Sequence, residues 1–145
     1  MRSLSVVFFA LSLIVMLSCP HETVAQKESE IDAWLNKISG GKSPETDITG
    51  RWHDTQGSGM FTWGEGYLRQ EQNKISGAIG NYNIKGLVSG KTVYLVFLYA
   101  GTVYYTARLE MFQGLLTGNY FKAKDREQKW GYPTSFARTV EPAKQ

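Results

Sequence analysis

Thr92–Met111 reads TVYLVFLYAGTVYYTARLEM, and this stretch decides the fold. Two runs rich in β-branched and aromatic residues flank the tight connection Ala100-Gly101, as in a β-hairpin. Successive side chains of a strand point to opposite faces. In the second run Val103, Tyr105, Ala107, Leu109 and Met111 therefore share one face, and Tyr104, Thr106, Arg108 and Glu110 share the other. The first set reads as the interior. The first run differs, because Val93, Leu95, Phe97 and Tyr99 oppose a second apolar set, Tyr94, Val96 and Leu98. A strand apolar on both faces needs a cover on each. For the outer face the candidates are a helix around Trp34, or a protein partner or second copy docked through Tyr94, Val96 and Leu98.

The same pattern extends in both directions from residue 47 to residue 140. Strands are expected near Ile48–Asp54, Met60–Trp63, Tyr67–Glu71, Lys74–Ile79, Tyr82–Val88, Leu115–Phe121 and Thr134–Thr139, besides the two above. Short connections such as Gly80-Asn81 and Ser89-Gly90 make consecutive strands antiparallel neighbours. The fold class is all-β: an antiparallel up-and-down meander of about eight strands, closed into a barrel that leaves no free edges. Ile48-Thr49-Gly50-Arg51-Trp52, Ile75-Ser76-Gly77-Ala78-Ile79 and Leu116-Thr117-Gly118-Asn119-Tyr120 share a pattern of apolar, hydroxyl, Gly, any, large apolar; Ile84-Lys85-Gly86-Leu87-Val88 is a looser copy. Glycine weakens a strand unless curvature or close approach needs it, so these positions read as barrel bends.

Upstream of the barrel, Ile31, Trp34, Leu35 and Ile38 are spaced i, i+3, i+4, i+7, one apolar stripe of a helix. The expected helix spans residues 29–41, with Ser29 as cap, Asp32 at the capping-box spacing and Gly40-Gly41 as stop. Residues 19–28 read as a polar tether. Residues 1–18 read as a signal peptide: Arg2 precedes the uncharged run Leu4–Leu17, which is shorter than the roughly 20 residues of a membrane span. Cleavage after Ala25 is one reading. The other rests on Val15-Met16-Leu17-Ser18-Cys19, which resembles the bacterial lipoprotein box and makes Cys19 the lipidated N-terminus of an outer-membrane lipoprotein. The expected localisation is the envelope, across the inner membrane, either periplasmic or lipid-anchored.

Gly50-Arg51-Trp52 resembles the G-x-W motif that opens lipocalins and other calycin barrels, including the avidin type. That resemblance implies a Trp52 that closes the barrel floor against an Arg of the last strand, here Arg138. It covers residues 48 to 140, without the disulfide cysteines or the second-motif Asp of lipocalins.

Composition narrows the chemistry further. The 145-residue chain has one cysteine and two histidines, leaving no disulfide framework and little room for a metal centre. A net charge of +3 is too small to imply nucleic acid. No cofactor is expected. His53 and Asp54 are strand neighbours and so diverge. Ser58 lacks a nucleophile elbow. Glu65, Glu71 and Glu110 have no distinctive spacing. The glycines around Ser58 and Glu65 precede no helix that would make a phosphate site. Lys122, Lys124, Arg126 and Lys129 form a basic loop interleaved with acids. The expected function is non-catalytic: binding of a small apolar or aromatic ligand in a cavity bounded by Met60, Trp63, Tyr105 and Tyr120. The alternative is a protein-interaction module, an envelope inhibitor or assembly factor, with a filled core. A barrel of about eight strands is compatible with either.

Overall fold

A computed structural model describes residues 22–39, 41–56 and 62–140 of the chain. One helix, α1 (Glu22–Ser39), precedes eight strands: β1 (Gly50–Asp54), β2 (Glu65–Glu71), β3 (Lys74–Ile79), β4 (Tyr82–Ser89), β5 (Thr92–Tyr99), β6 (Thr102–Phe112), β7 (Leu115–Lys122) and β8 (Tyr132–Arg138). Each strand pairs antiparallel with the next, and β8 returns to pair with β1, so the expected meander barrel forms and closes. The signal-peptide and Cys19 readings concern residues outside the described set.

One end of the barrel is sealed. Trp52 is fully buried there and its indole Nε1 donates to the Ile48 carbonyl at 2.8 Å. The Arg138 guanidinium lies 4.6 Å from the Trp52 ring centroid, a cation–π contact. Its two amino groups donate to the carbonyls of Asp47 and Thr49, and so staple the incoming chain across the floor. The Asp47 carboxylate accepts the Thr49 N–H at 2.8 Å; that bond, with Arg138 nearby, holds its pKa below the usual carboxylate value. The turns β2–β3, β4–β5 and β6–β7 surround this floor. The connections β1–β2, β3–β4, β5–β6 and β7–β8 surround the opposite end, the mouth.

The inward face carries Leu68, Ile75, Ile84, Val93, Leu95, Leu109, Leu116 and Phe136, all buried in one cluster with Trp52 and Trp63. A second cluster lies outside the barrel wall. Ile31, Trp34 and Leu35 of α1 cover Leu87, Val96, Leu98 and Val103, while Trp34 meets Tyr94 edge-on at 6.0 Å. The helix thus occupies the outer β5 face. Lys85 pairs with Asp32 at 2.7 Å on the helix flank.

Three local expectations are corrected. The helix begins at Glu22, so residues 22–28 are helical rather than tether, and Ser29 lies inside the helix rather than at its cap. Ala25, Gln26, Lys27 and Glu28 are strong helix formers, and docking of the downstream stripe supplies the nucleus. Val103 faces outward, under α1, although alternation from Tyr105 places it inside. A β-bulge explains this: Phe97 pairs with Tyr105 but Leu98 pairs with Val103, leaving Tyr104 as an extra residue that reverses the phase. Finally, Thr62 and Trp63, the described part of the expected Met60–Trp63 segment, belong to no strand, which leaves eight strands among the described residues.

Because α1 is held to the barrel through one apolar stripe, Trp34→Ala loosens it selectively. In hydrogen exchange, α1 amides should lose at least tenfold protection, about 1.4 kcal/mol, while β2–β7 amides hardly change. Equal loss in helix and barrel would show that the two unfold as one unit.

Candidate functional site

The mouth is built around Trp63. Thr62–Gly64 lie in no strand, and Asp54 holds them at the mouth. Asp54 Oδ1 accepts the Gln56 N–H and Oδ2 accepts the Trp63 N–H, both at 2.9 Å, while its own N–H donates to the Gly64 carbonyl at 3.0 Å. Gly80, in the β3–β4 turn, lets the segment in. Its φ is +54°, and a Cβ there would sit 2.1 Å from the Trp63 carbonyl oxygen.

The indole is buried, and its Nε1 donates to Thr134 Oγ1 at 3.0 Å. Rings surround it: Phe97 at 4.3 Å, Tyr120 at 5.1 Å, Tyr105 at 5.3 Å and Tyr82 at 5.7 Å between centroids. Tyr105, Tyr120 and Tyr82 meet it edge to face, the arrangement aromatic quadrupoles favour. A second layer lies above. Tyr99, Tyr104 and Tyr132 are about half exposed, at 53%, 47% and 55%. Tyr132 stacks on Tyr120 at 5.3 Å, and Tyr99 stands between Tyr82 at 6.4 Å and Tyr104 at 6.3 Å.

Two hollows open on this rim. One, of about 610 Å³, has Trp63 and Tyr82 as floor, Tyr99 and Tyr104 as wall, and Thr62 and Asn81 as polar edge. The other, of about 470 Å³, lies between α1 and the barrel, bounded by Ile31, Val103, Tyr105, Glu30, Lys122 and Lys124. Tyr104 borders both, because the β-bulge turns it out between them.

Burial, and then the neighbouring phenols Tyr105, Tyr104 and Tyr99, raise the Tyr82 pKa; burial, Tyr105 and Tyr132 raise that of Tyr120. A raised phenol pKa means the folded state holds the proton more tightly than the unfolded chain. The associated stability is whole below the ordinary value of 10.0 and is lost as pH rises through the higher folded values. Alkaline titration followed by phenolate absorbance should therefore show two late-titrating tyrosines above pH 10, with stability falling over the same range. Tyr82→Phe or Tyr120→Phe should remove one late step each.

Of the expected cavity residues, Trp63, Tyr105 and Tyr120 meet in this cluster, and Met60 lies outside the described residues. Trp63 fills the middle of the mouth and also floors one of the two rim hollows. Tyr82, Tyr132, Asp54 and Thr134 escaped the sequence reading. Tyr82 and Tyr132 open β4 and β8, and their position beside the mouth turns follows from the order of the meander. The anchoring roles of Asp54 and Thr134 leave no comparable signal.

Several of the other chemical groups have structural partners. His53 Nδ1 lies 3.0 Å from Thr139 Oγ1. Glu71 pairs with Arg69 at 2.5 Å, and Thr92 donates to Glu110 at 3.3 Å. In the basic loop, Arg126 donates to the Ala123 carbonyl and faces Glu30 at 4.0 Å, and Lys129 lies 5.3 Å from the Trp130 ring. Among the described residues no group of three or more His, Cys, Asp or Glu side chains is placed to hold a metal ion. Comparison of the chain with protein-family models, curated proteins and solved structures finds no match in any of the three.

Proposed function

We propose that the chain is a non-catalytic binding protein of the bacterial envelope, secreted or lipid-anchored through Cys19, with kinship to calycin barrels of the lipocalin and avidin type. Its ligand is a small molecule with a flat aromatic or apolar part, taken at the tyrosine-rimmed mouth. The observation that carries this reading is the 610 Å³ hollow, where half-exposed Tyr99 and Tyr104 stand over the buried Trp63. Rigid rings present a large contact surface at little entropic cost, and Thr62 and Asn81 add polar contacts that fix orientation. The Trp52–Arg138 contact below Gly50 supports the calycin kinship.

The test uses the full chain and the uncharged fluorescent dye N-phenylnaphthylamine. Tyr99→Ala and Tyr104→Ala should each weaken dye binding by about five- to tenfold, as expected for losing one ring contact of about 1–1.4 kcal/mol. Tyr67→Ala, equally exposed on the outer wall at 51%, should leave it unchanged. Equal affinity in all three variants overturns the reading.

A second reading, a protein-interaction module such as an envelope inhibitor or assembly factor, draws support from the densely occupied interior. Since α1 covers Val96 and Leu98, a partner on that face must displace the helix. Val96→Lys would then abolish capture of an envelope protein that the Tyr99 and Tyr104 variants still capture.

A further inference from the structure

The helix gives the barrel a direction. Its residues Glu30 and Ile31 stand with Thr102, Val103 and Lys122 beside the mouth, whereas Asn36 and Ser39 stand with Asn73 and Lys74 beside the sealed floor. At 1.5 Å per residue, the eight steps from Glu30 back to Glu22 carry the chain about 12 Å further in the mouthward direction. Residues 1–21 therefore join the domain on the mouth side. In the lipid-anchored reading the mature chain begins at Cys19, three residues before the helix.

Exposed rings stand at both ends of the barrel, besides Tyr67 on the outer wall and Trp130 in the β7–β8 connection. At the mouth stand Tyr99, Tyr104 and Tyr132, each an apolar ring with a hydroxyl tip. At the sealed end the exposed large apolar side chains include Phe112 and Leu115, which carry no polar atom. Rings with a polar tip are the residues that settle at the headgroup level of a bilayer, where one end is apolar and the other wet. Lys122 and Lys124 rise on the same rim, where they would meet anionic lipid; of the acids beside them, Glu30 faces Arg126 and Asp125 accepts from the Gln128 side chain, while Glu127 follows in the loop.

We infer that the mouth faces a lipid bilayer, with Tyr99, Tyr104 and Tyr132 in the headgroup layer and the sealed floor turned away. The inference rests on the lipid-anchored reading of Cys19, and it deepens the ligand proposal: the mouth would take a molecule that partitions into the bilayer.

The test incorporates the full chain into vesicles of phosphatidylethanolamine and phosphatidylglycerol, with and without doxyl-labelled lipid as a quencher. Trp130 is 78% exposed, so Trp130→Phe provides a background whose other indoles are buried. In that background, Tyr99→Trp should lose about half its added emission to the lipid quencher, and Phe112→Trp should lose none. Tyr104→Trp serves as a second mouth probe if Tyr99→Trp fails to fold. Quenching at Phe112→Trp alone, or at no probe while the chain floats with the vesicles, overturns the orientation. A chain that fails to float overturns the lipid-anchored reading, and the orientation falls with it. Dye binding in the absence of vesicles tests the ligand site separately.

Discussion

Trp63→Ala should lower the free energy of unfolding by about 3–5 kcal/mol, the usual cost of deleting a large buried aromatic side chain. The ring has no strand of its own to replace it. It reaches the mouth from an irregular segment and fills a space that four other elements surround with Phe97, Tyr82, Tyr105 and Tyr120. Those rings are fixed by their strands, so they close only partly over the vacancy. Thr134 Oγ1, 2% exposed as a residue, also loses its indole donor. For a domain with a total stability of about 5–15 kcal/mol, this is a large share. Urea unfolding measures the loss, and indole offers a control. Added at millimolar concentration, it should enter the apolar vacancy of the variant and recover part of the stability, while leaving the parent chain unchanged. Trp63→Phe should cost less, because it keeps most ring contacts and gives up the bond to Thr134. A Trp63→Ala chain within 1 kcal/mol of the parent, or one indifferent to indole, would show that the mouth has no Trp63-dependent core.

The segment that carries Trp63 also shows where sequence periodicity stops being informative. Met60 and Trp63 look like strand residues, because large apolar side chains next to glycines are what strands and their turns contain. What turns the backbone inward is a long-range arrangement: Asp54 accepting the Trp63 N–H across nine residues, Gly80 leaving room for the carbonyl, and Thr134 receiving the indole. None of these partners can be chosen from local pattern. The outer face of β5 was legible for the opposite reason. Tyr94, Val96 and Leu98 carry too much apolar surface to stand in water, and among the described residues the Ile31/Trp34/Leu35 stripe covers it. Val103 shows how one extra residue defeats an otherwise sound alternation. Parity assigns it to the interior, and the bulge at Tyr104 hands it to the helix. The same displacement turns Tyr104 toward the two hollows, so the irregularity that misleads the sequence reading helps make the candidate site.

Gly77→Ala should cost about 2–6 kcal/mol, combining a strained backbone conformation with overpacking against a rigid neighbour. Gly77 has φ of +145°, which L side chains rarely adopt, and an added Cβ would lie 2.1 Å from the Tyr67 carbonyl oxygen and 3.1 Å from the Leu68 Cα. Both obstacles are backbone, so no side-chain rotation relieves them. β3 would have to move away from β2, and it is paired with β4 on its other side, so the barrel must loosen on two seams. The glycine pattern read from the sequence gains a physical meaning here. At Gly86 and Gly118 a Cβ would likewise fall 2.0 Å and 2.2 Å from the carbonyl oxygens of Tyr94 and Arg108 on the neighbouring strand. Gly50 stands apart, since its Cβ would meet the Arg138 guanidinium at 2.8 Å, a contact of the sealed floor. Three of the four positions thus mark places where adjacent strands approach too closely for any side chain, as a small closed barrel requires at its bends. Gly114→Ala isolates the backbone contribution. Its φ is +80° but nothing lies within 4 Å of an added Cβ, so it should cost only about 1–2 kcal/mol. Urea unfolding of the two variants gives the comparison. If Gly77→Ala loses no more than Gly114→Ala, β2 and β3 can part at no cost and curvature is not what those glycines supply.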